Sequence, residues 1–216
     1  MNNEYEEKLF LVLTHELLHA STKSISHIGI VSRYDYASRA LNEGITDMLA
    51  EDVIDFDHKK SDSIYYDITI FSRIIRLCVG EKIINSAYFK YNVDSLEKAC
   101  NNLAHDSNYF QELKEILNDL LIFLKNHNNP TKEDFELYYE KVMNCYINML
   151  NNLVIPKFRS IYFEKNKKAF IMSFLKIIST SKEAHKMNLL FKEIFQQNDL
   201  YYLEEDKEIA NTQARR

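Results

Sequence analysis

An all-α fold is predicted for this 216-residue chain by three features of its sequence. Glycine (3) and proline (2) are scarce, whereas a strand-and-turn protein of this length needs many positive-φ and breaker positions. Leu, Ile, Lys, Glu and Asn dominate, which suits long helices joined by few connections. Apolar residues also recur at helical spacing in one segment after another. An apolar fraction of 46%, with 12% aromatic, is enough for a folded core rather than a disordered chain.

Taken in order, residues 4–24 carry Leu9, Leu13, Leu17 and Leu18 as the expected buried face of a first helix. Residues 27–37 hold Gly29 among polar and aromatic residues and read as a loop. A second helix is predicted over 39–54, a polar connection over 55–63, and a third helix over 64–79 that stops at Gly80 as an αL cap. Asp94 with Glu97 has the form of a capping box opening a helix over 95–104. Another helix runs over 109–126 and is ended by Asn128-Asn129-Pro130. Thr131 with Asp134 caps a long helix reaching about Leu153, Pro156 interrupts it, and two more helices cover 158–178 and 182–195. The charged stretch from Glu204 is expected to fray. The break at 127–130 divides the chain into a helical region 1–126 and a second one, 131–216, the alternative being a single domain.

The net charge of −5, with both signs interspersed, gives no reason to expect a nucleic-acid partner. The lysines at 165, 167 and 168 read as an ordinary helix face. Cys78, Cys100 and Cys145 are odd in number and form no CxxC pair, so neither a disulfide framework nor a thiolate zinc site is indicated. The apolar runs Leu9–Leu13 and Leu120–Leu124 are too short to span a bilayer. Acidic residues precede the first run and no cleavage site follows it, which argues against a signal peptide. A cytoplasmic location is expected of the chain as written, a fragment leaving it open. The oligomeric state is not specified by these patterns.

The segment Thr14-His15-Glu16-Leu17-Leu18-His19 contains HExxH. On a helix, positions i and i+4 lie one turn apart on one face, so His15 and His19 can reach a single metal ion. A catalytic zinc site takes three protein ligands and leaves a fourth position to water. Glu16, beside the first histidine, is placed to take that water's proton. Leu41-Asn42-Glu43-Gly44 follows on the next predicted helix, with Glu43 24 residues after His19, so a helix–loop–helix can bring its carboxylate to the histidine pair. Asp47 lies one turn beyond and can hydrogen-bond the second nitrogen of a ligating histidine, fixing its tautomer. Gly44 would let the two helices approach closely. Asp47 and Glu51 share the face of Glu43 and are rival third ligands.

HELLH followed by LNEG resembles the gluzincin branch of the zincin metallopeptidases. The resemblance implies Zn2+ held by His15, His19 and Glu43, Glu16 as general base, Asp47 behind a histidine ligand, and a peptide or protein substrate. It covers the first quarter of the chain. The interval between second histidine and glutamate is a few residues longer than in the best-known members. Only 14 residues precede His15, so that family's upstream β-sheet is expected to be missing, leaving active-site helices followed by a C-terminal helical bundle. Either a C-terminal part of a larger enzyme or a minimal relative is expected, the alternative being an inactive zincin-like module serving as a binding scaffold. Metzincins fit less well, because Thr22 and Ile25 stand where they need Gly and His. For the donor to a developing oxyanion, Tyr34 stands at a distance from the glutamate helix that resembles thermolysin-like enzymes, with Tyr36, His27, Tyr65, Tyr66 and Tyr88 as other options.

Overall fold

The computed structural model describes residues 3–32, 35–126 and 131–181, together with Phe191 and Ile194. Over these residues the protein is all-α apart from one two-stranded hairpin. Helix α1 (Asn3–Thr22) leads into strands β1 (His27–Ile28) and β2 (Val31–Ser32), paired antiparallel with Ile28 opposite Val31. Then come α2 (Arg39–Ile54), α3 (Tyr66–Val79), α4 (Glu81–Lys90), α5 (Val93–Ala104) and α6 (Tyr109–Asn126). Helix α7 (Lys132–Met149) continues through a π turn at Leu150–Val154 into α8 (Ile155–Ser160), and α9 (Glu164–Ile178) follows. No helix among the described residues is long and apolar enough to cross a membrane.

Helices α2 and α3 form the centre. Ile68, Ile70, Phe71, Ile74 and Ile75 of α3 are buried against Leu41, Ile45 and Met48 of α2, each contributing about 1.5–3 kcal/mol by leaving water. The same core takes in Leu113 and Leu117 of α6, Tyr146 of α7 and Phe174 of α9, so side chains on both sides of residues 127–130 share it. Cys78, Cys100 and Cys145 are free and buried within it.

Several local expectations are corrected. The segment after α1 is a minimal hairpin as well as a loop; Gly29 at its turn has φ +57° and lies where a Cβ would meet Asn42 at 2.1 Å. Gly80 does have positive φ, but at φ 98°, ψ 148° it is outside the αL region and hinges α3 directly into α4, a short polar helix that the apolar pattern did not reveal. Asp94 lies inside the first turn of α5, whose cap position is Asn92, so no capping box forms there. The Thr131–Asp134 box forms with both of its hydrogen bonds. Pro156 does not break its helix: it sits in the first turn of α8, where a missing N–H costs little. The chain breaks instead between Ser160 and Glu164.

The largest correction concerns α1. Leu9, Leu13 and Leu17 are 47%, 49% and 67% exposed, while Leu11 and His15 are 7% and 8% exposed. The face turned to α2 runs through Leu11, His15, Leu18 and Thr22, and the leucine ridge looks outward. Gly44 does admit a close helix, but that helix is α3: a Cβ would lie 2.6 Å from Ser72 Oγ and 2.7 Å from the Ile68 carbonyl oxygen.

Candidate metal centre

His15, Glu16 and His19 all stand on α1, and Glu43 and Asp47 on the helix packed against it. The imidazoles of His15 and His19 meet edge to face, with centroids 4.6 Å apart. His15 Nε2 is 3.3 Å and His19 Nε2 3.5 Å from the same Glu43 oxygen, Oε2. All three donor atoms lie within 4.8 Å of one another. Ligand atoms about 2.0–2.1 Å from a tetrahedral zinc stand roughly 3.3 Å apart, so the donor spacing and the donor set both suit that ion.

Asp47 supports the cluster from behind. Its Oδ1 is 2.6 Å from His15 Nδ1, which leaves Nε2 directed at Glu43, and its Oδ2 accepts a 2.7 Å bond from Ser63 Oγ. Ser63 Oγ also accepts from the Tyr65 N–H, and Ser61 Oγ accepts from the Ser63 N–H, so the connection between α2 and α3 is fixed by its own side chains. Ser63 carries no signal in the sequence, because a serine in a polar connection looks like any other. His19 Nδ1 is buried without a partner.

The electrostatics follow from this crowding. Burial alone would lower the His15 pKa, yet the hydrogen-bonded carboxylates of Asp47 and Glu43 outweigh it and raise it to about 9. Burial would raise Glu43, but the two imidazoles bring it down to about 2. No lysine or arginine among the described residues pairs with Glu43 or Asp47. The cluster therefore gathers negative charge with only imidazoles to balance it, which is the setting a bound cation completes.

Glu51 is excluded as a rival ligand: Oε1 is 2.7 Å from His58 Nδ1 and Oε2 accepts a 2.8 Å bond from Arg73. A cavity of about 520 Å³ opens over the cluster, with Leu11, Val12 and Phe56 on its apolar wall, Glu16 and Tyr65 on its polar one, and a Lys8–Asp62 ion pair beside it. Tyr65 stacks parallel to His15 with centroids 6.2 Å apart, and its hydroxyl is directed at Glu43. Burial, then the charges of Glu43 and Asp47, push its pKa up to about 12, which keeps the hydroxyl protonated.

The other candidate donors are engaged elsewhere. Tyr88 is fully buried and bonded to Thr46 at 2.8 Å. Tyr66 donates to the Thr180 carbonyl and stacks on His58. His27 lies on the hairpin against Tyr91, and Tyr36 is exposed beneath the Arg39 guanidinium. Tyr34 lies outside the described residues. His58 is buried and structural, and His105 ends α5.

Set beside known proteins, the chain matches no protein-family model, no curated protein and no solved structure. The functional reading therefore rests on the residues themselves.

Proposed function

We propose that this protein is a zinc-dependent hydrolase of gluzincin type that cleaves peptide bonds. The observation that carries the reading is the convergence of His15 Nε2, His19 Nε2 and Glu43 Oε2 from two helices, with Asp47 bonded behind His15. Asp47 gives the function more weight than the three donors alone, since a histidine whose far nitrogen is held by a carboxylate is oriented to present the other one.

His15, His19 and Glu43 would hold the ion. When bound, zinc polarises the substrate carbonyl and raises the acidity of water. Glu16, exposed at the cavity beside both histidines, takes a proton from the attacking water and returns it to the amide nitrogen as the C–N bond breaks. The products are a carboxylate and an amine. Tyr65 is the residue we assign to the developing oxyanion: it lines the same cavity and keeps its proton at neutral pH. Leu11, Val12 and Phe56 bind apolar substrate surface and exclude water from one side.

A second reading, a binding scaffold without catalysis, is favoured by one feature, the exposed ridge of Leu9, Leu13 and Leu17 on α1. One experiment separates the two. Metal analysis of purified protein is expected to give about one zinc per chain in wild type and none in His19→Ala. Glu16→Gln is expected to keep zinc and lose peptide cleavage by about 10²–10⁴-fold. Zinc without cleavage in wild type would favour the scaffold, and no zinc after reconstitution would overturn the hydrolase reading.

A further inference from the structure

The metal-ligand cluster stands between two cavities that share Glu16, His19 and Glu43 and otherwise differ in character. In the first, described above, the further charged groups are Asp47, Asp62 and Lys8, the last two paired with each other. The second, about 600 Å³, opens between the end of α1, the hairpin, the start of α2 and the end of α6. Lys23 comes to it from just beyond α1, Arg39 from the start of α2 and Lys125 from the end of α6. Among the described residues its only carboxylates are the shared Glu16 and Glu43, and both belong to the reaction centre.

These three cations form no ion pair with any carboxylate among the described residues, whereas Lys8, Arg73, Arg76 and Lys114 each have one. Arg39 is partly oriented, its guanidinium 4.5 Å above the Tyr36 ring. In a chain with a net charge of −5, three uncompensated cations around one cavity are a local reversal of sign. A substrate laid across the cluster thus meets an apolar, acid-rich wall on one side and a cationic one on the other.

We propose that the cavity formed by Lys23, Arg39 and Lys125 binds a carboxylate of the substrate, so that the enzyme selects peptides with an acidic group on that side of the scissile bond. This rests on the hydrolase reading above and names the substrate class of the same site. The carboxylate is either an acidic side chain or the free C-terminus of the peptide, and both offer the same planar anion to Arg39.

Three matched fluorogenic peptides test it: one with an internal Glu and an amidated C-terminus, one with Gln there and a free C-terminus, and one with Gln and an amide. With zinc-loaded wild type at low salt, one of the carboxylate peptides is expected to show a kcat/KM about tenfold above the neutral peptide, as three exposed cations at a few tenths to 1 kcal/mol each would give. Which peptide gains identifies the source of the carboxylate. The advantage, taken as the ratio of carboxylate to neutral peptide within each protein, is expected to shrink with added salt and to fall within about twofold in an Arg39→Gln/Lys125→Gln variant. Equal turnover of all three peptides, or an advantage that survives in the double variant, overturns the inference and leaves the hydrolase reading standing. Failure to cleave any peptide counts against the hydrolase reading alone. Binding of the same peptides to Glu16→Gln protein then decides this one: a carboxylate preference lost on adding Arg39→Gln/Lys125→Gln supports it, and equal binding overturns it.

Discussion

Glu43 and Glu51 stand two turns apart on one face of α2, and each meets a histidine, yet they belong to opposite kinds of site. Glu51 is closed: its side chain is 1% exposed, one oxygen is bonded to His58, and the other receives Arg73, which also pairs with Asp52. Glu43 is open: it is 23% exposed, meets two imidazoles through a single oxygen, and faces a cavity. Residue type, helix and face are the same, so the partners decide. A guanidinium completes a buried carboxylate permanently and makes it part of the scaffold. Imidazoles can exchange their protons for a metal ion, so they leave the balance open to a cation from outside.

The sharpest way to break this comparison is to remove each carboxylate in turn. Glu51→Ala leaves the buried His58 without its partner and Arg73 with Asp52 alone, and a loss of about 3–5 kcal/mol in unfolding free energy is expected, with or without zinc. Glu43→Ala removes a carboxylate that two imidazoles stabilise, partly screened at a cavity mouth that water can enter. The metal-free protein is therefore expected to lose about 1–2 kcal/mol, less than the Glu51 variant. It also loses the zinc-dependent gain, about 2.7 kcal/mol at a free zinc concentration of 100 times Kd. Urea unfolding of both variants, with chelator and with zinc, reads all four values. Equal losses for the two variants in chelator would remove the distinction between closed and open.

The contrast also shows how far the sequence could be read. HELLH and LNEG placed His15, His19 and Glu43 together because the chemistry of one ion restricts residue type and spacing at once. Asp47 was legible for the same reason, being one helical turn from Glu43. The choice of Glu43 over Glu51 rested on the resemblance alone; the physical reason, Arg73 arriving from α3 to complete Glu51, is visible only in the structure. The outward ridge of α1 was misread because periodicity reveals that an apolar stripe exists, not which stripe is covered. Phe10, Leu11, Val12 and Leu13 are consecutive, so more than one face of that helix is apolar. The face had to be chosen by His15, which can reach a ligand on α2 only if Leu11 and Leu18 turn inward with it.

Asp47 sharpens the comparison at an intermediate scale, because it acts on the open site through His15 without facing the ion. Asp47→Asn keeps the shape and removes the charge. Zinc affinity, measured by competition with a chelating dye, is expected to fall by about 10–100-fold. Ser63→Ala withdraws one of the bonds that hold Asp47, and a smaller loss, up to about tenfold, is expected. An Asp47→Asn protein with wild-type affinity would mean that the 2.6 Å contact with His15 does not orient the ligand.

The smallest effect expected concerns a third carboxylate, Asp35, which tests whether a closed pair can be opened by pH. Asp35 caps the turn that leads into α2, accepting from the Ser38 N–H and hydroxyl and from Lys114 Nζ at 3.1 Å. Burial would raise its pKa, but Ser38 and then Lys114 hold it below the ordinary carboxylate value of 3.8. A depressed folded-state pKa means that its contribution to stability is present above the unfolded value and is lost as pH falls through the folded one. Lys114→Met should therefore cost about 1 kcal/mol near neutral pH, where the pair is formed and partly screened. As pH falls through the depressed folded-state pKa of Asp35, the same lysine, 7% exposed, becomes a buried cation without its carboxylate. The wild type then loses its advantage, and the difference between the two proteins is expected to close. Zinc affinity at neutral pH should stay unchanged, because Lys114 meets α2 through Asp35 rather than through Glu43. A difference in stability that persists undiminished at a pH where the Asp35 carboxyl carbon has completed its own NMR titration would mean that Lys114 acts by packing over the Phe110 ring, 5.4 Å away, and not by charge.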